Sequence, residues 1–523
     1  MLAGLAPLGH SAVIQMDLAT VQGDQSRELL GDGKGVIVGI VDGGVNATHP
    51  ALLGSMIAAK DFTGSRNTSD NSATVGHGTG IMSLILGHDA GNGFTGLAPG
   101  AKFVNAKVVD KFDNTTDNLL ANGIFWAIGK GAKVINISQG NTVAQPDLNK
   151  LNMILDYCTE KYGTVFVVAA GNENTSAVTY APGGEYNSFT VGATYGTNFN
   201  NVTIFSNYAL PADLRTKPDL VAPGQGVTMA VSNWATTGVA YTDQAAGTSF
   251  SAPIVGGIVT QMMGYGRAHH LSVDPLVLKS IIEASATHIS DFEGTAWTPR
   301  HQLATASGTT IDQPLDAEQG AGQIDGVGTY TLYTHKASSS VPVANWVLSS
   351  LRDNGSYSMR LGNLRAGDEL DTALTWLRHI SKSGGGLSYS NKYSQAATLA
   401  DFSLTLLLNG RKIVTSNSNW DNLDYLSLTV PQSGNYSLLV NRLPGSGESI
   451  EHFGLAAHVL AGVSSAVAHS QSLKSPMGTF ASTGSSRSFN SSLATVPEPN
   501  GAWITFAAML IVLLGRRQSA LTS

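Results

Sequence analysis

Only one cysteine, Cys158, occurs among 523 residues. A lone thiol forms no internal disulfide, so the chain is held by packing and hydrogen bonds, and a cysteine-built metal site is excluded. Cys158 lies in a helix-like stretch with Leu151, Ile154 and Leu155 and reads as a small buried hydrophobe. Charge is also scarce. Asp, Glu, Lys and Arg make up 13% of the chain, and 30 basic against 37 acidic residues give a formal charge of −7 with no long basic run. That balance argues against polyanion binding and predicts no nucleic-acid partner. Low charge beside 42% hydrophobic residues also argues against a disordered chain, and the hydrophobic share supplies enough apolar surface for sizeable cores. The length exceeds one domain by the usual prior, and the scarcity of cysteine suits many bacterial secreted proteins.

Three short segments carry chemistry. Val38-Gly39-Ile40-Val41-Asp42-Gly43-Gly44 reads as a buried strand ending in an aspartate. Gly76-His77-Gly78-Thr79-Gly80 sets a histidine between glycines at the mouth of a helix-like stretch, Ile81 to Leu86. Ala246-Gly247-Thr248-Ser249-Phe250-Ser251-Ala252-Pro253 places Ser249 at the start of an apolar run, as a nucleophile held at a helix N-terminus requires. A serine by itself is more often a turn or cap residue. A histidine and an aspartate on two further element termini complete a nucleophile, a base and an orienter. A serine hydroxyl is a poor nucleophile at neutral pH, so neutral His77 takes its proton while Asp42 orients the ring and stabilises the imidazolium. The developing negative oxygen needs fixed donors, and the strand Val167 to Gly171 ends on Asn172, whose amide is a candidate donor.

The order Asp42, His77, Ser249 separates this arrangement from other serine hydrolases. Order and context together resemble the subtilases, the subtilisin-like serine peptidases. The resemblance rests on the aspartate motif with Thr48-His49-Pro50 after it, on His77-Gly78-Thr79, and on Gly-Thr-Ser-x-x-x-Pro around Ser249. It also rests on Lys217 to Gly224, Gly96 to Ala101 and Gly131 to Ser138, and it covers roughly residues 20 to 330. Two departures are Gly43, where the family has a hydroxyl residue, and Gly80, where many relatives have a second histidine. The resemblance implies that Asn172 and the Ser249 amide form an oxyanion hole. It implies that Ser138, Gln139 and Gly140 pair with an extended peptide substrate, and that Ala169, Ala170 and Gly171 line a roomy apolar pocket for the residue before the scissile bond. It implies no cofactor for the chemistry.

Strand-like and helix-like stretches alternate from about Gly35 to Gly264: Val36 to Val41, Phe103 to Val108, Val134 to Ile137 and Val165 to Ala169 against Ile81 to Leu86, Asp117 to Gly129 and Asp147 to Tyr162. This predicts an α/β fold, a parallel sheet with helices on both faces and the catalytic residues at strand C-terminal ends. Gly320 to Asp325 resembles the closing segment of a subtilase domain, which sets a peptidase domain over 1–330. From 338 to 463 apolar and polar residues alternate, with Asn409-Gly410 as a hairpin signal, which predicts an antiparallel β-sandwich. Asp401 to Val440 resembles the jelly-roll domains of some bacterial subtilases. These bind calcium in relatives, which makes Asp401, Asp421 and Asp424 candidate calcium ligands, although solvated loop residues are the preferred reading.

Residues 464–495, rich in Ser, Ala and Thr, read as a flexible linker. Residues 496–523 carry Val496-Pro497-Glu498-Pro499, an apolar run from Ala502 to Leu514, and Arg516-Arg517. The apolar run is short for a span. The three parts resemble a PEP-CTERM sorting signal, which implies export, an exosortase-type processing partner and membrane attachment through the tail before processing. Met1 to Gln15 has neither a basic start nor a long apolar core, so a leader and a propeptide are expected upstream of Met1. These features predict a secreted or envelope-attached serine endopeptidase that cuts polypeptides through an acyl-enzyme. An esterase of the α/β-hydrolase type requires Gly-x-Ser-x-Gly, but Ser251 fills the last position, and it requires its aspartate after the serine. An inactive surface-binding protein on a subtilase scaffold has little reason to keep Asp42, His77, Asn172 and Ser249 together.

Overall fold

Short runs rich in Val and Ile form one parallel sheet, as strands buried on both faces do. Its strands are β1 (Ile37–Asp42), β2 (Met56–Asp61), β3 (Lys102–Lys107), β4 (Val134–Ile137), β5 (Val165–Ala169), β6 (Phe189–Tyr195) and β7 (Leu220–Pro223), in the spatial order β7-β6-β5-β4-β1-β3-β2. The computed structural model describes residues 15–462 apart from 71–75, 143–147, 174–179, 197, 209–214, 299, 305–309 and 419. Helices cover both faces of the sheet. On one side α1 (His77–Leu86) and α4 (Thr248–His269) pack Ile81, Ile85, Val255 and Ile258 against Val38, Ile40 and Val167. On the other, α2 (Asp117–Gly129) and α3 (Lys150–Tyr162) bury Leu120, Ile124, Ile154 and Cys158 against Ile135, Ile137, Phe166 and Val168. Val167 and Phe166 thus serve opposite cores, the two-residue alternation of a strand.

The sequence signals hold for β1, β3, β4 and β5 to within a residue. They do not reveal β2, β6 or β7. Strand β2 is a partly exposed edge containing Ala58, Ala59 and Lys60, β6 has Gly192 near its centre, and β7 ends on Pro223, all residues that weaken a strand signature. Helix α3 starts at Lys150 rather than Asp147, because the Asn149 side chain caps it by accepting from Leu151 N and Asn152 N.

Beyond α5 (Pro275–Ala284) and α6 (Gly326–Tyr333), whose N-cap is Asp325, the chain forms antiparallel sheets. Strands β8 (Val343–Arg352), β10 (Glu369–Trp376), β13 (Leu423–Thr429) and β15 (Ile450–Leu460) make one, ordered β8-β15-β10-β13. Strands β9 (Ser356–Leu364), β11 (Phe402–Leu408), β12 (Arg411–Ser416) and β14 (Gly434–Arg442) make the other, ordered β9-β14-β11-β12. Leu374, Trp376, Phe402, Leu404, Leu438 and Phe453 fill one core from both sheets. Asn409 and Gly410, both at positive φ, form the two-residue turn between β11 and β12.

These sheets share packing with the parallel-sheet region. Ala373, Leu423, Tyr425 and Ala456 belong to the same core as Val277 and Ile281 of α5. Thr375 Oγ1 donates to Leu276 O at 3.0 Å. Arg378, 2% exposed, donates through Nε to Asp156 Oδ2 at 2.7 Å, and Asp156 is fully buried. The Lys217–Gly224 signature is structural here: Asp219 takes Lys217 Nζ at 2.7 Å and Lys279 Nζ at 2.9 Å.

The three candidate calcium ligands do not converge. Among the described residues no group of three His, Cys, Asp or Glu side chains is placed to hold a metal ion. Asp421 and Asp424 are not solvated either. Both are buried and hold backbone: Asp421 accepts from Thr216 N and Asn422 N, Asp424 from Ser416 Oγ and Ser418 N. Among the described residues no helix is long and apolar enough to cross a membrane. The linker and sorting-tail readings lie outside the described residues.

Candidate active site

Asp42 closes β1 and is fully buried. Its Oδ1 accepts from Gly43 N at 2.6 Å and stands 2.9 Å from His77 Nδ1, with Oδ2 at 3.1 Å. His77 is the first residue of α1, and its ring packs against Phe250 with centroids 5.6 Å apart. Burial works against a charged imidazole there. The Asp42 carboxylate, with smaller contributions from Asp70 and Asp113, outweighs that penalty and raises the His77 pKa above its ordinary 6.5. A Cβ at Gly80 would lie 2.2 Å from Met229 Sδ, so the methionine fills the space beside Gly80.

Ser249 is the second residue of α4, preceded by Gly247 at φ 145° and ψ 150°, a conformation open in practice only to glycine. Its Oγ donates to Ser138 O at 3.4 Å, and its carbonyl accepts from Ser138 Oγ at 2.9 Å. Ser138 Oγ in turn accepts from Asn136 Nδ2 at 2.9 Å, which ties the end of β4 to the start of α4.

Asn172 follows β5 and Gly171. Its Oδ1 accepts from Thr248 N at 2.8 Å and Thr248 Oγ1 at 3.0 Å, and Thr248 Oγ1 also accepts from Gly171 N at 3.0 Å. With Oδ1 turned to Thr248 N, Nδ2 is the donor end of the amide, and Asn172 lines the cleft.

His77, Ser138, Gln139, Gly140, Ala169, Gly171, Asn172 and Ser249 line one cleft of about 270 Å³, with Asp42 behind His77. Gln139 Nε2 is 3.5 Å from His77 Nδ1. Ala170 does not line the cleft: it is buried, its N–H continues the sheet by donating to Val191 O at 3.0 Å, and strand alternation turns it away from Ala169 and Gly171. The wall is also more polar than small side chains alone suggest, because Glu173 and Thr248 line it as well. Sequence reasoning missed Thr248, Glu173, Pro182 and, behind the wall, Asn207. Of these, Thr248 and Glu173 adjoin singled-out residues, whereas Asn207 carries no local signal.

A parallel α/β sheet with a serine and a histidine at helix N-termini and an aspartate at the carboxyl end of a strand is the architecture of a serine hydrolase. The chain belongs to the subtilase family, the subtilisin-like serine endopeptidases: the family model, Peptidase S8, matches residues 33–322. It is similar to thermitase from Thermoactinomyces vulgaris, 31% identical over 282 residues, covering 53% of this chain and 89% of the relative. A thermophilic serine proteinase of Bacillus sp. (strain AK1) is 29% identical over 268 residues, 51% of this chain and 60% of the relative. Fervidolysin from Fervidobacterium pennivorans is 29% identical over 354 residues, 62% of this chain and 46% of the relative. The chain therefore spans less than two thirds of the length of the latter two. Among solved structures, the prenylagaramide maturation protease PagA overlaps 60% of this chain and 96% of its own at a TM-score of 0.44 and 22% identity.

Proposed function

We propose that this chain hydrolyses peptide bonds in polypeptides through an acyl-enzyme on Ser249, with His77 as general base, Asp42 as its orienter, and Asn172 Nδ2 and Ser249 N–H as the oxyanion hole. The observation that carries this reading is the pair of Asp42–His77 contacts at 2.9 and 3.1 Å in the wall of the cleft that holds Ser249. With Nδ1 directed at Asp42, Nε2 is the ring nitrogen that takes the serine proton. The Ser249 hydroxyl exchanges its long bond to Ser138 O for one to His77 as substrate binds, since catalytic hydrogen bonds tighten in the complex. The proton moves to His77 as Oγ attacks the carbonyl carbon, then passes to the leaving amine, and water reverses the sequence on the acyl-enzyme.

The carbonyl oxygen becomes negative between Asn172 Nδ2 and the N–H of Ser249, in the first turn of α4 where the helix dipole also favours negative charge. Losing one such donor lowers turnover by roughly 10²- to 10³-fold, a magnitude established for subtilisin. An extended substrate adds as a strand along Ser138, Gln139 and Gly140, and the residue before the scissile bond sits near Ala169 and Gly171. The triad and the two donors supply nucleophile, base and electrostatic stabilisation, so the chemistry needs no cofactor.

The proposed organisation is a peptidase part over 1–330, a β-sandwich over 338–463, a linker over 464–495 and a PEP-CTERM sorting tail over 496–523. That tail motif supports export to the envelope or medium, an exosortase-type partner and membrane attachment before processing. Casein cleavage by the refolded chain, blocked by a serine-directed phosphonate and absent in Ser249→Ala, tests the activity. Fractionation of chains with and without residues 496–523 tests the tail.

A further inference from the structure

We infer that Asn207 is a positioning residue that holds the oxyanion-hole asparagine in place, an inference that rests on the role proposed for Asn172. Asn207 is 3% exposed and clamps the turn Gly171–Glu173 at both ends. Its N–H donates to Gly171 O at 3.0 Å, its Oδ1 accepts from Glu173 N at 2.8 Å, and its Nδ2 donates to Glu173 Oε2 at 2.8 Å. The same Glu173 oxygen accepts from Asn172 N at 2.9 Å. Every one of these contacts is made to the turn that carries Asn172, and Thr248 fixes the Asn172 side chain itself.

The turn needs such a clamp. Gly171 sits at φ 109°, where glycine has the most conformational freedom to lose, and Glu173 is solvent-exposed in the cleft wall. Asn207 is itself anchored: the neighbouring Ser206 Oγ accepts from Ala193 N of β6 at 3.0 Å. The sheet therefore reaches the oxyanion donor through Asn207.

The chemistry of the pair gives Asn207 a second task. A carboxylate close to a developing oxyanion destabilises it. The Nδ2 bond holds the Glu173 oxygen on the backbone of Asn172, turned to the N–H groups behind the turn. An aspartate at 207 keeps the shape and the Oδ1 acceptor but faces Glu173 with a second carboxylate, which drives it off. Replacing Glu173 by glutamine as well removes the repulsion between the two carboxylates and lets the introduced amide nitrogen donate to the introduced carboxylate, in exchange for the bond that the same position accepts from Asn172 N.

The test compares the full-length enzyme with Asn207→Asp, Glu173→Gln, their combination, Asn172→Ala, and Asn172→Ala with Asn207→Asp. Active fractions are normalised by phosphonate titration and melting temperatures recorded. Asn207→Asp is expected to lower kcat roughly 10- to 100-fold with KM changed less than about two-fold, and to weaken a peptide boronate, whose adduct is tetrahedral, by the same factor. Adding Glu173→Gln is expected to recover part of that loss by removing the charge repulsion, and adding Asn207→Asp to Asn172→Ala to cost little more. A loss confined to KM, no recovery in the combined variant, or multiplicative losses with Asn172→Ala would overturn the inference. If Asn172→Ala itself leaves kcat unchanged, the oxyanion role of Asn172 is what fails. Should Asn207→Asp not fold, Asn207→Ser carries the same kcat-against-KM and boronate comparison.

Discussion

The imidazole of His77 accepts a proton only when neutral, yet the carboxylate that orients it also favours the charged ring. Burial opposes the charge and Asp42 outweighs burial, so the pKa lies above 6.5. The acid limb of kcat/KM is therefore expected above pH 6.5, with activity rising through it and staying high in alkali. Asp42→Asn removes the charge that raises the pKa, so it should move that limb to lower pH and cut kcat by about 10⁴-fold. A pH–rate profile of both forms checks the sign, and an unshifted limb would detach Asp42 from His77. Asp42, His77, Asn172 and Ser249 were legible because each lies in a short motif that fixes its own backbone. Asn207 was not, because its partner Glu173 is 34 residues away and no local pattern links them.

At the scale of elements, the start of α4 does most to position the chemistry. Gly247→Ala is expected to strain the backbone by about 1–3 kcal/mol, because φ 145° suits glycine, and to lower kcat more than stability by displacing Ser249 and Thr248. Parallel denaturation curves and kinetics separate the two effects. A second device joins α3 to the C-terminal strands: His379 lies 3.2 Å from Glu160 Oε1 and 2.8 Å from Glu451 Oε2. Burial lowers its pKa, but the two carboxylates raise it to about 10 overall. A folded pKa above the unfolded 6.5 means that this stabilisation is complete below about pH 6.5 and is lost as pH rises through about 10. Melting temperatures of the natural chain and His379→Gln should accordingly differ most at pH 6 and converge above pH 10. Strands β1, β3, β4 and β5 were readable from β-branched runs, whereas β2 and β7 lacked the pattern because an edge position relaxes it, and β6 because Gly192 interrupts it.

At the scale of the whole molecule, the antiparallel sheets share a core with the parallel-sheet region. The change from α/β alternation to two-residue alternation near Tyr330 was legible, but periodicity does not say which faces meet. Ala373, Leu423 and Tyr425 pack into the core of α5, and Arg378 reaches Asp156 of α3. Arg378→Met is expected to cost about 3–5 kcal/mol, because it leaves Asp156 buried without its guanidinium. Urea unfolding measures that cost, and a change under 1 kcal/mol would refute it. Ending the chain after Tyr333 should give an insoluble product without peptidase activity.

Covalent labelling tests the central claim most directly. The full-length chain is treated with a peptidyl diphenyl phosphonate, mapped by mass spectrometry and assayed on casein. A single adduct on Ser249 that tracks the loss of cleavage, and that does not form in His77→Ala, is the predicted result. An adduct on another residue, or casein cleavage that survives in Ser249→Ala, would contradict it.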